Sequence, residues 1–351
     1  MMPLVSVIVP TYNSSKYILE TLHAIRSQTL QDFEIVVVDD CSSDNTLDLI
    51  RGLNDPRIRI YVNEQNRGIP YTHNRLIELC TTDYIAVQDH DDLSYPDRLE
   101  RQYQYLRQHP AALATASYPN YIDEEGRPIF QPALRKLLRI LKLNNAGADS
   151  TEVFPFMFFK NIFCHSTLMY NKKNLGDIRY QPQFAICDDY DILCRVAAVS
   201  PVAIDPRPVL QYRVHRRNTS SQRFKERERD VNEVQGRYLR QLGIEPSPAN
   251  LFLHNGFFND LQGFRPSVDY LQKSLEWYRT IEEKNRQAQL FDSRGLQKAI
   301  ETNWFERCLA CRSMGLKLLP LYFRGRAGKR AVAGRTARLV LLFFSIFFYR
   351  D

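Results

Sequence analysis

The chain lacks several features that would define a nucleotide enzyme or a membrane protein outright. Its 351 residues contain neither a G-x-G-x-x-G dinucleotide turn nor a G-x-x-x-x-G-K-[ST] phosphate loop. A bound nucleotide would therefore not be held by a glycine-rich turn. There is no internal repeat of fixed period and no low-complexity block, which excludes solenoids and fibrous arrays. The N-terminus has no basic leader segment, and its apolar run Leu4–Val9 is too short for a signal peptide. The apolar cluster Leu339–Tyr349 falls short of the roughly 20 residues that span a bilayer. The seven cysteines are scattered. Their one close pair, Cys308 and Cys311, has no second pair to complete a zinc site. A reduced, cytoplasmic setting is expected.

What is present is an ordinary globular composition, 44% hydrophobic and 25% charged. The formal charge of +7 is concentrated at one end. Beyond Leu316 there are eight basic residues (Lys317, Arg324, Arg326, Lys329, Arg330, Arg335, Arg338 and Arg350) and one acid, Asp351. The remainder is neutral, which argues against a nucleic-acid binder. Basic residues 324–338 followed by a Leu/Phe cluster suggest an interfacial anchor on an anionic membrane surface; the competing reading is a last helix packed on the body.

The first half alternates short apolar runs with helix-period segments. Strands are expected at Val5–Val9, Glu34–Val38, Arg57–Val62 and Tyr84–Gln88. Helices lie between them, one with Ile18, Leu22 and Ile25 inward and one with Leu47, Ile50 and Leu53 inward. Ser14 or Ser15 and then Ser43 offer N-caps for these two. A third helix is expected around Thr72–Cys80. The alternation predicts an α/β domain, a mostly parallel central sheet with helices on both faces. Further strands are expected at Ala112–Tyr118 and around Ile122–Ile129, with a turn at Asp123–Gly126, and at His165–Tyr170 and Val209–His215. Arg135–Lys142 reads as a short helix, Asn144–Ser150 as a loop and Asp188–Val199 as a helix opening with Asp188-Asp189-Tyr190-Asp191. From Phe224 to Gly315 the pattern is helical.

Ligands of such sheets bind at the carboxyl ends of the strands. Pro10-Thr11-Tyr12-Asn13, Asp39-Asp40 and Asp89-His90-Asp91-Asp92 all fall there. Each alone reads as a turn or a cap; three on one edge point to a site. Acids at that edge would repel a bare pyrophosphate, so Mg²⁺ or Mn²⁺ is the natural mediator.

With these residues placed, residues 4–220 resemble the inverting glycosyltransferases of family 2, which have the GT-A fold. The resemblance rests on Val5-Ser6-Val7-Ile8-Val9-Pro10-Thr11-Tyr12-Asn13 and on Val36-Val37-Val38-Asp39-Asp40-Cys41-Ser42-Ser43-Asp44-Asn45-Thr46. Asn66-Arg67-Gly68, Asp89-His90-Asp91-Asp92, Asp188-Asp189-Tyr190-Asp191 and Tyr212-Arg213-Val214-His215 continue it in the family's order. It implies that Pro10, Thr11 and Tyr12 line the nucleobase pocket, with Tyr12 near the base face. Asp39 would accept from base or ribose. Asp89 and Asp91 would be the D-x-D pair, Asp91 as the metal ligand and Asp89 at the ribose or the metal. Asp189 matches the catalytic base, with Asp188 as a neighbouring alternative. Asn74 would lie on the donor side, and Arg213 and His215 would close over the diphosphate. Thr72-His73-Asn74 departs from the family's Ala-Arg-Asn, so the phosphate contact normally made by that arginine is missing. His165 reads either as a core residue or as part of an acceptor site.

The expected activity is metal-dependent hexosyl transfer from a nucleotide-diphosphate donor, a UDP-sugar, to a saccharide or lipid-linked acceptor in surface polysaccharide assembly. One rival is a catalytically silent nucleotide-sugar-binding protein on the same fold. Another is a nucleotidyltransferase, which would want a glycine-rich, lysine-containing opening loop that Pro10–Asn13 does not provide. Processive polymerisation is disfavoured because Gln-x-x-Arg-Trp is absent; Gln211-Tyr212-Arg213-Val214-His215 is the nearest run. The expected divisions are a catalytic domain at 1–222, a helical region at 223–315 and a basic/apolar tail at 316–351.

Overall fold

The computed structural model describes residues 2–129, 153–200, 202–205, 207–216, 218, 223–259 and 266–324. The helix expected at Arg135–Lys142, the loop Asn144–Ser150 and the tail anchor beyond Arg324 lie outside the described residues. Among the described residues, no helix is long and apolar enough to cross a membrane.

The chain forms two units. The first runs to Asp230, apart from residues 153–161, which group with the second. The first unit is built on a seven-stranded sheet. Its leading strands are β1 (Val5–Thr11), β2 (Phe33–Asp39), β3 (Ile58–Val62) and β4 (Tyr84–Val87). They pair in parallel in the order β3-β2-β1-β4. β1 and β2 are runs of Val and Ile buried on both faces, as a covered parallel sheet requires. Helix α1 (Ile18–Arg26) buries Ile18, Leu22 and Ile25 in the same core as Val5, Val7, Val9, Ile35 and Val37. Helix α2 (Thr46–Gly52) adds Ile50 to that core. Helix α3 (Ile69–Leu79) packs on β1 and β2.

Beyond β4 the chain adds β5 (Leu93–Ser94), α4 (Arg98–Gln108), β6 (Ala114–Ala116) and β7 (Asn120–Ile122). Strand β8 (Met169–Asn171) then inserts antiparallel between β4 and β6, and β9 (Val202–Ile204) closes the edge. β10 (Leu210–Arg213) joins β5 and β7 in a separate three-stranded sheet. The sheet is thus mostly parallel with helices about it, as the alternation predicts.

Local details differ from expectation. Ser14 does not cap α1; its hydroxyl accepts the Tyr12 N–H at 3.1 Å, within the turn that precedes the helix. Ser43 does not cap α2. Asp44 takes the Thr46 N–H at 3.1 Å, because its longer side chain reaches the first turn. His165–Thr167 is a 3₁₀ turn rather than strand, and β8 begins only at Met169. β7 spans only Asn120–Ile122, and the turn expected at Asp123–Gly126 follows it, with Gly126 at φ 81°.

The second unit is helical. It includes α5 (Val153–Phe159), whose residues are all buried, α9 (Pro248–Asn259), α10 (Val268–Ala288), α11 (Ser293–Ala310) and α12 (Leu318–Arg324). Two further helices of the first unit complete the numbering, α6 (Lys172–Leu175) and α7 (Asp188–Val199); α8 (Phe224–Gln241) begins there and continues into the second unit. Ser267 and Asp292 cap α10 and α11 through the N–H groups of Tyr270 and Gly295. Arg307 is buried, and among the described residues no carboxylate hydrogen-bonds to it. It donates to the Tyr270 hydroxyl at 2.6 Å, the Asn303 amide at 3.0 Å and the His254 carbonyl at 2.7 Å.

Arg98, at the start of α4, fixes the end of β4. Its buried guanidinium donates to the carbonyl of Val87 at 2.6 Å and to the Gln88 side chain at 2.9 Å. Arg98→Met fills similar volume but takes the donor from the Val87 carbonyl and leaves the Gln88 oxygen with the Ser94 hydroxyl alone. At ~1–3 kcal/mol per orphaned buried group, the variant should lose about 3 kcal/mol. Urea unfolding should show a lower midpoint with an unchanged slope; an unchanged midpoint would remove this role from Arg98.

Candidate active site

The parallel register sets Thr11 beside Asp39, so β1 and β2 end at one level. The two side chains meet there. The Thr11 hydroxyl donates to Asp39 Oδ2 at 2.9 Å, and the Ser42 N–H and hydroxyl donate to the same carboxylate at 2.8 and 2.6 Å. Asp39 is fully buried. Pro10 is part of β1, and Tyr12 follows it with 49% of its surface exposed. Asn13 and Cys41, on the two adjoining turns, adopt left-handed φ values of 50° and 66°. Asp40 works inward: it accepts the Arg67 and Gly68 N–H groups, each at 2.8 Å, and the Asn63 amide at 2.6 Å. Those bonds hold the loop that enters α3, where Gly68 takes φ 84°.

The acids after β4 diverge. Asp91 accepts from or pairs with His215 Nε2 at 2.8 Å. Burial alone would raise its pKa, but the His215 contact and the nearby His90 hold it below the ordinary carboxylate value. Asp92 is wholly buried, accepting the Arg213 N–H at 2.9 Å and the Ser166 hydroxyl. Burial and the charges of Asp91 and Asp89 push it well above the ordinary value. Asp89 lies with His73 and His165, one ligand-type atom of each within 4.8 Å of the others. Burial first, and then the charge of Asp91, push its pKa up to about 6.

Asp188 and Asp189 open α7 and differ in setting. Asp188 is buried, with Oδ2 3.3 Å from His73 Nδ1. Asp189 is more open to solvent and accepts the Tyr190 N–H at 2.7 Å. Asp191, further in, is paired with Arg195.

Two residues expected at the donor are committed to the protein itself. Arg213, expected over the diphosphate, has a buried guanidinium. It donates to the Asp91 carbonyl at 3.0 Å, to Glu20 at 2.7 Å and to the Glu124 carbonyl at 3.0 Å, and lies 4.6 Å from the Tyr17 ring centre. Asn74 clamps Tyr180, its amide donating to the Tyr180 carbonyl and its oxygen accepting the Tyr180 N–H, both at 2.8 Å. Sequence reasoning gave Asp92 no role of its own within Asp89-His90-Asp91-Asp92 and did not place Tyr17 or Tyr180 at the site, since nothing in their spacing signals it. His73 was signalled only as the break in the family pattern.

The sheet order and the helices about it are those of the GT-A fold. A family model described as Glycosyl transferase family 2 matches residues 6–174. The chain is 30% identical over 230 residues to an uncharacterized glycosyltransferase of Methanocaldococcus jannaschii, covering 64% of this chain and 75% of that one. It is 34% identical to the putative teichuronic acid biosynthesis glycosyltransferase TuaG of Bacillus subtilis, over 36% of this chain and 51% of TuaG. It is 27% identical to the chondroitin synthase of Escherichia coli, over 69% of this chain but only 34% of the synthase. Among solved structures it is similar to S. aureus TarS 1–349 in complex with UDP-GlcNAc, with TM-score 0.58, 18% identity and coverage of 94% and 95%. It is also similar to the mannosyltransferase PcManGT of Pyrobaculum calidifontis in complex with GDP-Man and Mn²⁺, with TM-score 0.53, 19% identity and coverage of 100% and 89%. The chain belongs to glycosyltransferase family 2.

The raised Asp89 pKa has a stability consequence. Between about pH 4 and 6 the folded chain keeps a proton that the unfolded chain has released. Its contribution to stability is therefore present at the lower pH and lost as pH rises through that window. Asp89→Asn should make the metal-free protein less sensitive to pH across that range and more stable than wild type at pH 7, read by unfolding at several pH values. An equal pH slope in both proteins would contradict the buried, raised carboxyl.

Proposed function

We propose that the first unit transfers a sugar from a nucleoside-diphosphate donor, a UDP-sugar, to a hydroxyl of a saccharide or lipid-linked acceptor, with inversion at the anomeric carbon. The observation that carries this reading is the Asp91–His215 pair at 2.8 Å, on the same sheet edge as Thr11 and Asp39. The solved relatives are complexes with UDP-GlcNAc and with GDP-Man and Mn²⁺, and TuaG and chondroitin synthase are named for polysaccharide assembly. These favour a donor of that chemistry and a role in cell-surface polysaccharide synthesis.

The residues fit a divalent cation. One carboxylate and one imidazole face each other, a donor set that suits Mn²⁺ and accepts Mg²⁺ less well. Asp91 and His215 would hold the ion, and bound there it would offset charge developing on the leaving diphosphate. Arg213 positions Asp91 by gripping its carbonyl. Exposed Tyr12 offers a ring face for the base, and Asp39, with Thr11, sits where base or ribose N–H and O–H groups would donate. Asp189 takes the proton of the acceptor hydroxyl as general base, and that hydroxyl displaces the diphosphate from the opposite face of the sugar. Asp188 is the weaker candidate because it is buried against His73. The basic and apolar tail, residues 324–351, would bind an anionic membrane surface.

Asp189→Asn should keep donor affinity while lowering turnover by roughly 10²–10⁴, measured as nucleotide release from UDP-sugars with Mn²⁺. A larger loss in Asp188→Asn, with Asp189→Asn near wild type, would move the base by one residue. Asp91→Asn should abolish the Mn²⁺-dependent part of nucleotide affinity in a folded protein. Metal-dependent affinity equal to wild type would remove Asp91 as ligand.

A further inference from the structure

A second cluster lies in the first unit, next to the Asp91–His215 pair in sequence through Asp89. His73 comes from α3, Asp89 from the turn after β4, and His165 from the 3₁₀ turn before β8. One ligand-type atom of each lies within 4.8 Å of the others. His73 is 2% exposed, and neither of its ring nitrogens has a hydrogen-bond partner. A buried polar group in that state costs free energy unless something binds it.

The outer contacts of the two imidazoles fit a ligand set. His73 Nδ1 is 3.3 Å from Asp188 Oδ2, an oxygen that is itself buried without a hydrogen bond. His165 Nε2 lies 2.7 Å from the Tyr180 hydroxyl. His165 thus has one nitrogen hydrogen-bonded outward, His73 turns Nδ1 toward Asp188 without a hydrogen bond, and each ring has a second nitrogen for a ligand. Metal-binding histidines carry such an outer partner almost always, because it fixes tautomer and ring orientation. Ring packing fixes them further: Tyr180 stacks on His73 at 4.7 Å, and His165 meets His73 edge-on at 4.9 Å.

We propose that His73, Asp89 and His165 form a transition-metal site separate from the Asp91–His215 pair. Two imidazoles and a carboxylate suit Zn²⁺, Co²⁺ or Mn²⁺ rather than Mg²⁺. The ion offsets the buried charge of Asp89 and Asp188. It ties the end of β4 to α3 and, through His73 and Asp188, to the first turn of α7, which carries Asp189. Its role is to hold these elements in register. No nucleotide takes part, so the site stands or falls independently of the transferase reading.

The test uses the full chain, stripped with a chelator and titrated with Co²⁺ alone. Calorimetry gives the stoichiometry, and the visible absorption of Co²⁺ reports imidazole ligation. One Co²⁺ per chain should bind, be displaced by Zn²⁺, and persist in Asp91→Asn. His165→Ala should abolish that binding. Tyr180→Phe keeps the stacked ring but loses the hydroxyl, and should weaken binding 10–100-fold; it tests the site even if His165→Ala fails to fold. Absence of Co²⁺ uptake by the folded wild type overturns the proposal. So does uptake that is lost in Asp91→Asn but unaffected by Tyr180→Phe.

Discussion

The constraint on which the first unit depends is the gathering of carboxylates at the end of a parallel sheet. Asp39, Asp40, Asp91 and Asp92 are all buried there. An isolated buried carboxylate is too costly to persist, so each must be answered locally. The answers are specific. Asp39 is met by Thr11 and Ser42, Asp40 by the N–H groups entering α3, Asp92 by Ser166 and the Arg213 N–H, and Asp91 by His215. Much of the irregular structure around the sheet exists to supply those partners. The 3₁₀ turn at His165–Thr167 brings Ser166 to Asp92, and β10 brings Arg213 and His215 from more than a hundred residues away.

This arrangement separates acids that do structural work from those left for chemistry. Asp40 and Asp92 are consumed by the fold. Arg213 is also consumed, being spread over Asp91, Glu20 and Glu124, so its contribution to any reaction runs through the placement of Asp91. The proposed transfer draws on Tyr12, the Asp91–His215 pair and, at the start of α7, Asp189. The same logic isolates the cluster around His73. Both ring nitrogens of His73 and Oδ2 of Asp188 beside it are buried without a hydrogen-bond partner, whereas Asp39, Asp40, Asp91 and Asp92 each have one.

The strands and amphipathic helices of the first half were legible because their burial is periodic or continuous: Val5–Val9 and Glu34–Val38 can only be covered strands, and Ile18, Leu22 and Ile25 only one helix face. The strand-end acids were legible for the same reason, since the pattern shows where each strand stops. Tertiary partners were not. No spacing tells that Asn74 will clamp the Tyr180 backbone or that Arg213 will be buried against Tyr17. Caps went astray where neighbours competed, with Asp44 outreaching Ser43 for the first turn of α2. β8 was misread at its start because His165, Ser166 and Thr167 are drawn into a turn by side-chain bonds to Tyr180, Asp92 and the Cys164 and Ser117 carbonyls. Single-residue periodicity does not carry such demands.

The central claim is that the edge formed by Thr11, Asp39 and Asp91 binds a nucleoside diphosphate through a divalent cation. The most direct measurement is calorimetric titration of the full chain with UDP, and with UDP-sugars, in the presence and absence of Mn²⁺. The account predicts saturable binding of one nucleotide per chain, at least tenfold tighter with Mn²⁺ and weakened again by a chelator. Binding that is indifferent to the cation, or no binding of UDP, GDP or their sugars at millimolar concentration, would contradict it.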